Sequence, residues 1–186
     1  MPEGHELSPH IAELYAKQSI YESIIRMALA IDRGDLTAIE ASFWADGRLE
    51  TGTFSGPLSE YVPYLMKALL IFTRTSHAIT NVLIEVTGER ARSQAYFNAY
   101  HMFPSSPAIT VAGRYIDQHE RRGGEWRIAH RLFVLDWHIG GNSEEDFPIC
   151  ASRRAVGGRK PNDPWYRSDN VKDGPAVEKC GPVIKP

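Results

Sequence analysis

The chain has 186 residues, 21 Lys+Arg against 23 Asp+Glu, and a formal charge of -2. One ordinary domain takes about 150 residues, so the length is that of one domain with about 40 to 50 residues over. The near-neutral balance argues against nucleic acid as the main partner, because phosphate binding draws on a surplus of Lys and Arg. No apolar run approaches the roughly 18 residues of a membrane span. The opening MPEGHELSPH lacks the basic-then-apolar order of a secretory signal. Two cysteines, Cys150 and Cys180, make no disulfide framework and read as free thiols, so a cytoplasmic location is the default expectation.

In chain order, Ser8-Pro9 can start a helix, Ser as N-cap and Pro in the first turn. A second helical stretch is predicted from Lys17 to Asp32. There Ile20, Ile24, Met27, Ala28 and Ile31 recur at steps of four and three. Gly34 supplies a stop, and Asp35 can cap a short helix through Leu36, Ile39 and Phe43. Asp46-Gly47 reads as a turn into a strand at Arg48–Thr53, which Gly56-Pro57 breaks. Ser59 can cap a third helix from Glu60 to Phe72. The period then changes to two, with strands predicted at His77–Val86, Ala91–Met102, Thr110–Glu120 and Trp126–Asp136. Gly123-Gly124 marks a hairpin between the last two. Helices first and strands afterwards predict an α+β domain, helices packed on one face of a strongly curved antiparallel sheet that encloses a cone. That domain is read as residues 1–137. Residues 138–186 carry 6 Gly and 6 Pro, as against 9 and 6 in residues 1–136. They read as a tail that packs on the domain or on a neighbouring subunit.

Few residues suit chemistry. Asp32 projects on or beside the apolar face of its helix, at the end where the dipole disfavours negative charge, so it needs a compensating partner. His77 precedes an apolar strand; beside a carboxylate it becomes a general base, since the carboxylate fixes its tautomer and stabilises the imidazolium. Spacing alone does not bring the two together. Arg131 lies in an apolar strand, either as a buried ion pair or as a donor to a substrate oxygen. Trp126 and Ile128 share one strand parity, Arg131, Phe133 and Leu135 the other; either both faces are covered or a bulge lies near Ala129-His130. Tyr96, Asn98 and Tyr100 alternate with Phe97, Ala99 and His101, and one of these sets faces the cone. His130, Asp136 and His138 share a face only if their strand runs unbroken to 138. No HxxxH, HExxH or CxxC occurs, so no metal is expected. GxGxxG, GxxxxGK[ST] and GxSxG are also absent, which removes the common nucleotide and serine-hydrolase signatures.

The runs LAIDRGDLTAIEASFWADGRLE, SHAITNVLIEV and GRYIDQHERRGGEWRIAHR together resemble the SnoaL-like branch of the nuclear transport factor two superfamily. The resemblance spans roughly residues 17–137. It implies a curved sheet wrapped by helices around a deep cavity. Within the superfamily the chain looks most like the cofactor-free lyases, namely scytalone dehydratase, bile-acid 7α-dehydratase and hexachlorocyclohexane dehydrochlorinase. These carry an Asp at the end of the first long helix and a His at the start of the strand after the third; Asp32 and His77 occupy those places. The dehydrochlorinase also has an Arg in its last strand, where Arg131 falls. Trp44 and Asp46 match a structural segment. Ile31 stands where scytalone dehydratase has a tyrosine, leaving Tyr96 and Tyr100 as the alternative tyrosines. The resemblance implies a lyase without cofactor, most simply a dehydratase. His77 and Asp32 would be catalytic, and Arg131, Tyr96, Tyr100, Asn98, Phe133 and Leu135 would line the pocket for a small apolar ring compound. Retro-aldol cleavage, isomerisation or cyclisation, and a noncatalytic binding subunit remain alternatives on the same scaffold. A homo-oligomer, dimer or trimer, is the expected assembly.

Overall fold

A computed structural model describes residues 8–105, 107–140 and 155–166. Its elements are α1 (Pro9–Arg33), α2 (Leu36–Ala41), β1 (Phe43–Glu50), β2 (Ser55–Pro57), α3 (Leu58–Leu69), β3 (Arg74–Thr87), β4 (Arg90–Met102), β5 (Ile109–Arg122), β6 (Glu125–Gly140) and β7 (Ala155–Val156), with a short 3-10 helix at Pro164–Tyr166. The two helical stretches expected before Gly34 are one helix. No Gly or Pro interrupts residues 10–33, so nothing in the backbone ends the first stretch before the second. Ser8 caps it through the Ile11 amide, and Gly34 closes it in the left-handed conformation.

Further boundaries differ from expectation: the short helix capped by Asp35 ends at Ala41, and Phe43 opens β1. Asp46-Gly47 does not turn the chain; it lies inside β1, at a register irregularity between Phe43 and Arg48. The third helix starts at Leu58 behind Pro57, ahead of Ser59, and stops at Leu69.

The sheet runs β2-β1-β6-β5-β4-β3, with β7 on β6. It is mixed, because β1 and β7 both lie parallel to β6 while the remaining pairs are antiparallel. The helices take one face. Helix α1 touches both β3 and β6, strands at opposite ends of a four-strand run, and this face is the concave one. Ile20 and Ile24 are fully buried against Ala91 and Ala95 of β4. Met27, Ile31, Ile39, Phe43, Leu49 and Ile128 form the core under α2 and α3. Each such side chain contributes about 1.5–3 kcal/mol on burial, so the helical stripe read from the sequence is what holds α1 in the cone.

Three bulges set which side chains face inward. On β3 the register shifts between Thr80 and Leu83, where Asn81 has φ 48°. On β6 Ala129 is the extra residue opposite Gln118 and His119, which brings Ile128 and Arg131 onto the same face. Opposite Ala112 and Gly113, Asp136 is extra. Gly113 has no room for a side chain: a Cβ there would meet the Phe97 ring at 2.8 Å and run into the Val134 carbonyl oxygen. The Gly123-Gly124 turn uses φ 60° and 89°, conformations that favour glycine.

Residues 155–166 lie against the convex face. Asp163 accepts from both terminal nitrogens of Arg114 and from the amides of Gly158 and Trp165. Arg114 also donates to Asp136 and Gln94. The Trp165 ring lies 3.6 Å from the Arg92 guanidinium carbon, and Arg92 donates to the Trp165 carbonyl.

Candidate functional site

Asp32 sits in the last turn of α1, and β3 passes directly beside it. Its Oδ1 lies 2.6 Å from the His77 Nδ1 and accepts from the Thr75 hydroxyl at 3.0 Å; its Oδ2 accepts from the His77 amide at 2.8 Å. Both side chains are largely buried, 13% and 7% exposed. Burial alone would push the Asp32 carboxyl up, but the His77 ring and amide, helped by Thr75, draw it below the ordinary carboxylate range. Asp32 is therefore ionised at neutral pH. An ionised carboxylate only accepts, so the His77 Nδ1 carries the hydrogen and the Nε2 lone pair is left to act as a base.

Cross-strand pairing shows what shares this face. His77 pairs with Ala99, Phe97 with Gly113, Tyr115 with Phe133, and Asp117 with Arg131. Phe97, Ala99, Ile109, Val111, Tyr115 and Leu135 make one buried cluster, with Phe133 against it. Phe133 and Leu135 thus belong to the concave face with His77. Tyr96, Asn98 and Tyr100 do not; they stand on the convex face, Tyr96 and Tyr100 being 38% and 51% exposed. The reason is packing. The alternate set Ala91, Ser93, Ala95, Phe97, Ala99 is the one that fits beneath α1 and against β5.

Arg131 is on the concave face but engaged. Its Nε and one terminal nitrogen donate to the two oxygens of Asp117 at 2.8 and 2.7 Å, and both side chains are almost fully buried. Its guanidinium lies 4.1 Å from the Tyr115 ring centroid and 5.7 Å from that of Phe43. The ion-pair alternative is therefore realised, in bidentate form. His130, Asp136 and His138 are not gathered: His130 contacts Glu50 at 2.9 Å, Asp136 bonds Arg114, and His138 is exposed. Trp44 donates to the Glu120 carbonyl, and Asp46 accepts from Arg122.

The structure adds residues that sequence reasoning did not single out. His101 meets His77 edge-on with ring centroids 5.6 Å apart and packs on Phe72 at 4.6 Å. Burial, with His77 nearby, pushes its imidazole down to about 4, so it is neutral at pH 7. Tyr115 and Tyr61 place two buried phenols on the same side, each raised by burial, Tyr115 to about 12. The usable signal was strand parity. His101 alternates in step with Phe97 and Ala99, which are apolar and fit a covered face.

A separate groove of about 750 Å³ lies between α1, α2 and the β5–β6 turn, lined by Arg26, Arg33, Trp126 and Arg127 among others; it includes neither Asp32 nor His77.

Residues 12–132 match the SnoaL-like domain family, which is more than half of the chain. The chain belongs to that family. Among solved structures it is similar to a protein from Novosphingobium aromaticivorans DSM 12444 that carries the designation scytalone dehydratase (18% identity, TM-score 0.64, 69% of this chain and 89% of that one). It is also similar to the hexachlorocyclohexane dehydrochlorinase LinA-type3 from Novosphingobium barchaimii LL02 (17%, 0.61, 70% and 91%) and to a protein from Kribbella flavida (22%, 0.62, 66% and 92%). These likenesses are of fold. No curated protein matches the chain.

Proposed function

We propose that this SnoaL-like protein is a cofactor-independent lyase acting on a small, largely apolar ring compound, by dehydratase-type elimination. The observation that carries the reading is the Asp32–His77 contact, two hydrogen bonds to one carboxylate that also accepts from Thr75, beside an aromatic concave face. In this reading the His77 Nε2 removes a carbon-bound proton. Asp32 holds the ring in one tautomer and balances the imidazolium that forms. The electron pair of the broken C–H bond forms the new double bond and the leaving oxygen departs as water, with the proton returned to it by the His77 imidazolium. The chemistry draws on a substrate that delocalises charge, and Phe97, Phe133 and Leu135 supply surface for its ring.

The dehydratase and dehydrochlorinase designations of the similar structures support the lyase class. The test is a mass-resolved assay of the full chain against panels of aromatic and alicyclic alcohols. Loss of one water from the active compound is expected; conserved mass would mean isomerisation or cyclisation, and loss of a small aldehyde would mean retro-aldol cleavage. His77→Ala should lower turnover by about 10²- to 10⁴-fold, the contribution of a positioned general base, with unchanged circular dichroism. Undiminished turnover in that variant removes the dyad from the mechanism.

A further inference from the structure

The groove between α1, α2 and the β5–β6 turn lies apart from the dyad, and its lining has no part in the chemistry above. Its volume, about 750 Å³, falls within the roughly 300–1,000 Å³ of small-molecule sites. Small side chains keep it open, Ser23 and Ala30 on α1 and Ala38 and Ala41 on α2. Ser23 and Ala30 are buried, and Ser23 turns its hydroxyl back onto the Ile20 carbonyl at 2.8 Å, so they offer a ligand little polarity. Leu29, 46% exposed, and the half-buried Trp126 add large apolar surface.

The charged groups around the groove differ in how far they are already used. Arg127 is spent: its Nε and one terminal nitrogen donate to Glu125, and its guanidinium lies 5.1 Å from the Trp44 ring centroid. Asp35 caps α2 by accepting from the Ala38 amide. Arg26 makes an i,i+4 contact with Glu22 at 3.3 Å, and both side chains are exposed, so a second carboxylate can replace it at little cost. Arg33 has no carboxylate partner among the described residues; one terminal nitrogen donates to the Leu29 carbonyl at 3.2 Å. A guanidinium carries five N–H donors, so most of those on Arg33 are left over. The carbonyls at the end of α1 would repel an anion, but the Gly34 amide bonds the Ile31 carbonyl and the Asp35 amide that of Ala30.

We propose that this groove is a second ligand site, separate from the dyad, and that it takes an organic monoanion with a flat apolar body, an aryl carboxylate. The ring covers Ala30 between Leu29 and Trp126. The carboxylate takes the unused donors of Arg33, and Arg26 exchanges Glu22 for it. A neutral ring of the same shape gains the apolar contact alone. Both guanidiniums are exposed, so the preference for the anion is moderate and is screened by salt.

The experiment is equilibrium titration of the full chain with 2-naphthoate and 2-naphthamide, one ring with and without the charge. At low ionic strength the carboxylate should bind about tenfold more tightly, the worth of a charge-assisted hydrogen bond, and the ratio should shrink as salt is raised to about 0.15 M. Arg33→Gln removes the unpaired charge, and Ala41→Trp fills the groove; both positions are exposed. Each variant should lose most of the preference, the first through charge and the second through shape. His77→Ala should keep it, because the dyad is not part of this site. Equal binding of the two ligands by the native protein, a preference that survives either groove variant, or one that disappears in His77→Ala overturns the proposal.

Discussion

Asp117 and Arg131 lie side by side in the interior, 0% and 2% exposed, and their cost and worth depend on each other. A buried pair gains little net stability over apolar residues of the same size, but breaking one is expensive, because the survivor is left charged in a medium that solvates it poorly. Asp117→Ala should therefore cost about 3–5 kcal/mol, whereas the paired change Asp117→Leu with Arg131→Met should recover most of that loss. Urea unfolding of the three proteins reads the difference; equal losses in the single and paired variants would contradict it. The same two residues show how far sequence reasoning reached at this scale. Arg131 stood out because a charge interrupted an apolar strand, and both its options were visible. Asp117 was not singled out, because its partner lies across a hairpin and the distance is closed only by strand register.

At the scale of elements, the bulges and the segment after β6 decide more than helix or strand content. Asp163 ties residues 155–166 to β5 by satisfying two Arg114 nitrogens and two backbone amides at once. Arg114 keeps Asp136 and Gln94 if Asp163 is lost, so the expected cost of Asp163→Ala is about 1–3 kcal/mol, less than for an ion pair left with no second partner. A thermal melt checks it, and limited proteolysis should show earlier cleavage near residue 160. No change in either would mean that the segment is not held by this carboxylate. The amphipathic stripe of α1 and the four long strands were legible from periodicity, because period 3.6 and period 2 are local properties. The parity of β4 was not, since both of its faces carry aromatics. Only the fit of Ala91, Ala95 and Ala99 beneath their neighbours put Tyr96, Asn98 and Tyr100 outside.

For the molecule as a whole, acid should act in two windows. Burial holds His101 and His119 down to about 4, below the ordinary histidine value of about 6.5. His119 is fully buried, with its Nε2 2.8 Å from the Ser93 hydroxyl. Between those values the unfolded chain binds protons that the folded chain refuses, so stability is complete above about pH 6.5 and falls as pH drops toward 4. The slope is at most about 1.4 kcal/mol per pH unit for each histidine. Asp163, drawn down to about 2 by Arg114 and two amides against the opposing effect of burial, adds stability that is present above the ordinary carboxylate range and lost as pH falls through about 2. Urea midpoints at pH 7.5, 5.5 and 4.5 should decline in that order, and a flat profile would show that the two imidazoles are protonated without unfolding. His119→Phe should remove about half of the decline in the first window, leaving the part due to His101.

The sequence by itself determined the α+β class and the order of helices and strands, and it singled out Asp32 and His77 as candidates. Periodicity is local, and Asp32 and His77 each stand at an element boundary that a resemblance can align. Only the tertiary structure decided that one carboxylate reaches both the ring and the amide of His77 across 45 positions. It also decided that β1 enters parallel to β6, that Arg131 is held by Asp117, and that Tyr115 and His101 share the concave face with Asp32 and His77 while Tyr96 and Tyr100 do not. The physical reason is the same in each case. Strand register and bulges assign every side chain to one of two faces, and they are set by packing between segments far apart in the chain.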